Sequence, residues 1–426
     1  MKTFKSYIFT KNKLDCTGCS ACAHICRHSA IKMQEDEEGF LFPVLDEDKC
    51  VKCGLCDMRC PVVNNHQNNI YDNQKYYLIT TRKEQYYKKS ATIGLCTMLS
   101  EYIIDNNGVV FGAYLDETDW RVYHIKVSLK EDVEKIRNSK YAQSDPRTAY
   151  EDVKSLLIQN TVVLYIGTPC QIAGLKAFLN KKYDNLFTID LICHGVYSYK
   201  ILRKEVEYWN KKLNSNIFNL KFRSKRESYW TVGGIVNFDY KKENNKIIHK
   251  EVHGSCSPTY RCYAYSSDGK CYNLRESCYG CRFRDEGRFG DITIGDAWFT
   301  LKHYKNLDTE RNRKNGVCLC MVNTQSGSSL LSKIQALYEI FEISKEDTFL
   351  QPALRSEKLE LPELRYKLYE SLDKEDYGNL VEKQILHTNF SDVYVQYKKK
   401  ERINAVKHII KNVIFYDKIK IFLNKL

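Results

Sequence analysis

Proline and glycine are scarce in this chain of 426 residues, at 7 and 20 respectively, which excludes collagen-like and linker-dominated architectures. Long apolar runs are missing too. The longest uncharged stretch, Ser155 to Leu175, holds Gln159, Asn160, Gly167 and Pro169, residues that a lipid-exposed helix tolerates poorly. Met1 to Lys13 is polar and studded with lysine, without the apolar segment of a secretory signal. The expectation is a soluble, cytoplasmic protein. No G-x-G-x-x-G opens a helix and no G-x-x-x-x-G-K-[ST] occurs, so the ordinary dinucleotide and P-loop signals are absent.

Cysteine, by contrast, is abundant, with 18 in the chain. In a reducing compartment that number points to metal ligation rather than to a disulfide framework. Hydrophobic residues make up 43% and aromatics 12%, enough for packed cores, and the length implies roughly two to four domains. The formal charge of +13 is localised: Lys398 to Leu426 carry nine basic residues against Glu401 and Asp417. Basicity so confined, without a recognition motif, gives no reason to expect a nucleic-acid partner. The same segment sets Ile403, Val406, Ile410, Val413 and Ile414 opposite Asn404, Lys407, Lys411 and Asn412. It reads as a helix docked on the body, or as a basic amphipathic helix in peripheral contact with the inner face of an anionic membrane.

One internal repeat is clear. Cys16-x2-Cys19-x2-Cys22-x3-Cys26 recurs as Cys50-x2-Cys53-x2-Cys56-x3-Cys60, followed by Pro61. Each iron corner of a [4Fe–4S] cube needs one thiolate, and in two-cluster ferredoxins the fourth cysteine of each run serves the other cube. The spacing therefore assigns one cluster to Cys16, Cys19, Cys22 and Cys60, and a second to Cys50, Cys53, Cys56 and Cys26. Arg27 stands where the first run would have its proline. Structural zinc favours paired C-x2-C knuckles rather than two runs of four.

Behind the repeat, Asn64 to Asn73 reads as a polar linker, and the pattern then changes to alternating strands and helices. Strands are expected at Tyr76–Thr80, Val109–Leu115, Val162–Ile166 and Leu186–Cys193, and helices at Leu95–Ile104 and Gln171–Leu179. The result is an α/β body with a parallel core, a small N-terminal 2[4Fe–4S] ferredoxin-like domain and a helical C-terminal tail. The divisions expected are residues 1–64, 65–158, 159–345 and 346–426.

Within the body, Gly167-Thr168-Pro169-Cys170-Gln171 sits at a strand-to-helix turn, where backbone N–H groups favour an anion. Asp190 to Gly195 ends the next strand, so Cys170 and Cys193 would face one crevice at the carboxyl edge of the sheet. With the Cys278-x2-Cys281 pair they could hold a third cluster. Equally, lone buried cysteines act as apolar filler, and Cys278 and Cys281 could join Cys256, Cys262 or Cys271 on zinc. His194 reads as a neutral structural histidine or as a proton donor.

These stretches resemble the coenzyme F-420 hydrogenase/dehydrogenase beta-subunit family, which couples iron–sulfur clusters to FAD. The resemblance runs through Lys140 to Ser144, Gly167 to Leu175, Asp190 to Val196, Leu274 to Phe283 and Gly290 to Trp298. It implies a flavin in the α/β body with Lys140, Ser144, Gly167 and Thr168 at its site, and Cys170, Cys193, Cys278 and Cys281 on a third [4Fe–4S] cluster. A flavin fits because it converts one-electron into hydride chemistry. One departure stands out: Ile93 in Ser90 to Leu95 replaces a paired glycine, and a β-branched residue there keeps the backbone away from a ligand.

The resulting expectation is an iron–sulfur flavoprotein oxidoreductase. It would exchange electrons with a ferredoxin-like donor or acceptor and hydride with an organic substrate or deazaflavin-type carrier. The resemblance also suggests a link to cell-surface polysaccharide synthesis. The alternative is a non-catalytic electron-transfer subunit serving a partner oxidoreductase.

Overall fold

The computed structural model describes residues 5–64, 73–225, 235–264, 268–355 and 358–390, together with Asp392, Val395, Lys399 and Ile403. Apart from Ile403, the amphipathic face expected between Ile403 and Ile414 lies outside the described residues, as does the stretch from Arg226 to Trp230. Among the described residues no helix is long and apolar enough to cross a membrane.

The repeat in the sequence is a repeat in the backbone. The residue after the second cysteine of each run, Ser20 and Gly54, takes the left-handed conformation, with φ of 66° and 74°. Each turns the chain into a short helix, Ala21–Ile25 and Leu55–Met58. Glycine reaches this region freely, whereas Ser20 holds it against the cost of a Cβ. Between the two runs, β1 (Ile31–Glu35) and β2 (Leu41–Leu45) form an antiparallel hairpin. Its turn is closed by Asp36, whose carboxylate accepts from the backbone N–H groups of Glu38 and Phe40.

The body adds, in chain order, β3 (Lys75–Thr80), β4 (Val109–Asp116), β5 (Arg121–Val127), β6 (Val163–Gly167), β7 (Leu186–Leu191), β8 (Ile217–Ser224), β9 (Ile235–Lys241), β10 (Ile247–His253), β11 (Ile292–Asp296), β12 (Cys318–Val322) and β13 (Glu339–Glu342). Strands β8, β9 and β10 make a small antiparallel sheet. The other eight form one sheet in the order β13-β3-β12-β11-β7-β6-β4-β5. Its centre, β11-β7-β6-β4, is parallel, and antiparallel strands extend it on both sides. The long helices are α1 (Leu95–Asp105), α2 (Ala149–Ile158), α3 (Pro169–Leu179) and α4 (Tyr199–Leu213).

Alternation along the central strands explains the layers. On β6, Leu164 joins the apolar cluster with Leu95, Met98 and Ile103 of α1. Its neighbours Val163 and Tyr165 join Tyr150, Val153, Ile172 and Phe178 from α2 and α3. The sheet is thus covered on both faces, as a parallel core requires. Strands expected at Val162–Ile166 and Leu186–Cys193, and the helix between them, are present within a residue or two, and β6 and β7 pair in parallel. One difference is that β7 stops at Leu191, which leaves Cys193 in the loop beyond the sheet edge.

The ferredoxin-type domain is fastened to this body by a buried ion pair. Arg365 donates to both carboxylate oxygens of Glu38, at 2.9 and 2.6 Å, and through Nε to the Leu274 carbonyl at 2.7 Å. Arg365 is fully buried and Glu38 nearly so. Losing one partner would strand a charge in a dry interior. Arg365→Met is therefore expected to destabilise the anaerobic protein by about 3–5 kcal/mol, read as a lowered unfolding midpoint. Adding Glu38→Gln to that variant should recover part of the loss, and no recovery would show that the pair is not the cause.

Candidate iron–sulfur and cofactor site

The fold brings Cys60 of the second run to the first run of cysteines. Burial pushes the Cys19 thiol up to about 12, and Cys60 is the first neighbouring thiol to add to it. Cys22 is raised well above its ordinary value by burial and then by Cys19, Cys16, Cys60 and Cys56. Cys60, from the second run, is pushed up to about 11 by burial with Cys16 beside it. Cys16, Cys19 and Cys22 thus share a pocket with Cys60. The second set faces outward: Cys53 is exposed, Cys50 and Cys56 are half-buried, and Val51 and Met58 expose more than half their surface. Cys26 is half-buried, and its sulfur accepts from the Ala30 N–H at 3.3 Å.

A second gathering of thiols lies in the body. Cys170 occupies the second position of α3, Cys193 follows β7, and Cys278 and Cys281 belong to the helical turn Glu276–Tyr279 and its exit. Burial raises Cys170 well above its usual value, and Cys281, Cys193 and Cys278 add to the rise. Cys193 is pushed up to about 11 by burial and then by Cys281, and Cys278 to about 12 by burial and then by Cys281 and Cys193. Four half-buried thiols from three chain segments therefore gather in one region. Without a cation they stay protonated, whereas coordinated iron deprotonates a thiol outright. This chemistry fits a metal cluster.

Among the described residues, no group of three or more His, Cys, Asp or Glu side chains is spaced to hold a single metal ion. Zinc would require four donors around one point; a cube spreads its four thiolates over four irons. Of the alternative zinc ligands, Cys271 bonds elsewhere, with its sulfur 3.1 Å from the Tyr263 carbonyl and 3.0 Å from His194 Nε2. His194 is pushed down to about 4 by burial and the Arg284 guanidinium, as befits a neutral histidine.

Helix α3 joins the two gatherings. A Cβ on Gly174 would lie 2.9 Å from Cys19 Cβ and 3.1 Å from its sulfur, so only glycine admits the ferredoxin-type domain this closely. Cys170 lies one turn earlier on the same face, about 6 Å along the axis. Tyr150 Oη stands 2.9 Å from the carbonyl oxygens of both Cys19 and Gln171, pinning loop and helix together.

Beside the body thiols, a cavity of about 520 Å³ opens at the carboxyl ends of β6, β7 and β11, a size suited to a cofactor. Lys140, Ser144, Gly167 and Thr168 all line it, as do Cys193 and His194. Most of these polar groups are already engaged. His124 Nε2 donates to the Ile166 carbonyl at 2.9 Å, which leaves Nδ1 to accept from Ser144 Oγ at 2.8 Å. Gln171 donates to both oxygens of Ser144 and accepts from the Thr168 N–H. Thr168 Oγ1 also lies 3.2 Å from Cys170 Sγ. Lys140 Nζ donates to the Arg137 and Lys135 carbonyls, and burial pushes its ammonium down to about 7 against the pull of Glu134. Ile93 belongs to the apolar cluster under α1 while still lining the cavity, so the β-branched residue does not fill the space.

Two contributors carried no sequence signal of their own. His124 is a lone histidine in β5, and Asp190 was legible only as part of a motif. Asp190 is fully buried and takes bonds from Arg288, Thr293 and the Phe289 and Gly290 N–H groups. It therefore fixes the end of β7 just before Leu191, which lines the cavity, and offers no acceptor to a ligand.

Burial holds the His124 imidazole at about 4, below its usual 6.5. The folded state refuses a proton that the unfolded chain binds, so stability is full above pH 6.5 and falls as pH drops toward 4. The slope from this residue is at most about 1.4 kcal/mol per pH unit. His124→Gln should flatten the decline of the unfolding midpoint between pH 6.5 and 5; identical slopes would show that His124 is not its source.

Residues 161–346 match the family model for the carboxyl-terminal part of the beta subunit of coenzyme F420 hydrogenase/dehydrogenase, and residues 15–64 match a 4Fe-4S dicluster domain. Two curated relatives are similar. The coenzyme F420-dependent sulfite reductase of Methanocaldococcus jannaschii is 25% identical over 42% of this chain, which spans 28% of that protein. An F(420)H(2) dehydrogenase subunit from Methanosarcina mazei is 21% identical over 57% of this chain and 72% of its own length. A chain in a xenon-derivatised structure of the F420-reducing [NiFe] hydrogenase complex from Methanosarcina barkeri aligns over 70% of this chain and 92% of its own, with 16% identity and a TM-score of 0.38.

Proposed function

We propose that this chain, whose residues 161–346 match the coenzyme F420 hydrogenase/dehydrogenase beta-subunit model and whose residues 15–64 match a 4Fe-4S dicluster domain, is an iron–sulfur oxidoreductase or electron-transfer subunit of that kind, built as a one-chain electron wire ending at a flavin. In this reading Cys50, Cys53, Cys56 and Cys26 hold the cube that meets a ferredoxin-like redox partner. Cys16, Cys19, Cys22 and Cys60 hold the next, and Cys170, Cys193, Cys278 and Cys281 the third. The observation that carries it is the contact of Cys19 with Gly174, one helical turn from Cys170.

FAD, bound in the cavity, would supply the change from single electrons to hydride. The protein's own part is to place the cavity against Cys193, to present the Gly167–Thr168 turn to the anionic end of the cofactor, and to hold Lys140 beside it. Ser144 shapes the wall through His124 and Gln171. A deazaflavin-type carrier or an organic substrate would complete the exchange, and the names of the F420-dependent relatives favour the former. A relay without flavin is the second reading, favoured by the prior engagement of Ser144 and Thr168 within the frame.

Cys193→Ser tests the arrangement. After anaerobic purification it should hold about four fewer irons per chain than wild type, with the N-terminal cluster signals retained. Reduction of bound flavin by a reduced ferredoxin should slow at least tenfold while the N-terminal cubes still reduce. Unchanged iron and unchanged flavin reduction would overturn the third cube and its place in the path.

A further inference from the structure

Arg275 is fully buried, yet it lies in the body rather than in the ferredoxin-type domain it touches. Its Nε donates to the Cys16 carbonyl at 2.8 Å, and its Nη2 lies 3.0 Å from the Leu41 carbonyl and 3.5 Å from Cys16 Sγ. Phe42 packs against the guanidinium 4.0 Å away, with Phe40 at 5.5 Å. The remaining contact, from Nη1 to Gln143 Oε1, is a long 3.4 Å and neutral.

Neither Glu38 nor Glu276 is paired with Arg275 in the described contacts. Glu38 is taken on both oxygens by Arg365, and Glu276 also lies beside Arg365, at 3.8 Å. A guanidinium is always charged, and a buried charge needs a partner of opposite sign. Among the described groups that Arg275 hydrogen-bonds, only the sulfur of Cys16 can be an anion, and it becomes one when it ligates iron.

We propose that Arg275 raises the reduction potential of the cube held by Cys16, Cys19, Cys22 and Cys60. It thereby makes that cube the station where an electron waits between the exposed cube and the body. The inference rests on the cluster assignment above. Adding one electron makes the thiolate-ligated cube one unit more negative, and a fixed cation in a dry aromatic setting favours that state. No proton need move, because the compensating charge is already present. Arg275 immediately follows Leu274, whose carbonyl holds Arg365, so docking of the domain and placement of the charge are set by the same turn of chain. Arg275 is a positioning and tuning residue, since it acts through the cluster and not on substrate.

The test is an anaerobic potentiometric titration of the full chain, followed by electron paramagnetic resonance, with wild type, Arg275→Gln and Arg275→Lys. Arg275→Gln should lower the midpoint of one N-terminal cube by at least about 59 mV, a tenfold shift in its reduced fraction, and leave the other cubes unmoved. Arg275→Lys keeps the charge and should show less than half that shift. A full iron complement with unmoved midpoints in Arg275→Gln would overturn the proposal. So would loss of the cube in both variants, which would make the residue a fold clamp only. A wild-type chain without two N-terminal cubes would instead remove the cluster assignment itself, an outcome distinguished by its iron count.

Discussion

The close approach of Cys19 to Gly174 is the contact on which the rest depends. It brings the Cys19 side chain within van der Waals reach of a helix whose first turn carries Cys170. Any side chain at position 174 would hold the two apart. The missing Cβ therefore fixes the separation of the N-terminal domain and the body, and with it the distance an electron would travel in the proposed wire. Electron transfer between buried centres needs such a fixed separation, and a flexible tether would not supply it.

The interface is correspondingly polar and dry. Arg365 holds Glu38 in the hairpin turn, Arg275 reaches to Cys16, and Tyr150 stands between Cys19 and Gln171. Buried polar contacts of this kind add little net stability compared with apolar packing, but they define one geometry. The same economy governs the cavity. Ser144, His124, Gln171 and Thr168 form one bonded web, so the walls that would face a cofactor are set before it arrives.

Much of this was legible in the sequence. The doubled cysteine run marks a 4Fe-4S dicluster domain, and its crossed fourth ligands were read from the two-cluster ferredoxin pattern. The β6–α3–β7 unit follows from apolar alternation giving way to a helical period. The gathering of Cys170, Cys193, Cys278 and Cys281 was only one of several combinations, since chain separation says nothing about distance until the sheet is folded. The resemblance singled out the set that the fold brings together. What spacing could not reveal is the commitment of side chains to one another: that the Ser144 hydroxyl is spent on His124, that Asp190 is locked by Arg288, and that Arg275 crosses into the neighbouring domain. Each is a long-range contact made by a residue without a local pattern. The tail from Lys398 onward was read from its amphipathic face, and almost all of it falls outside the described residues.

The measurement that bears most directly on the wire is a count of iron, acid-labile sulfide and flavin per chain, on wild-type protein purified anaerobically and then offered FAD. Three cubes and a flavin predict about twelve irons, matching sulfide, and one FAD. About eight irons with no retained flavin would contradict it, leaving a two-cube relay that hands its electrons to another protein.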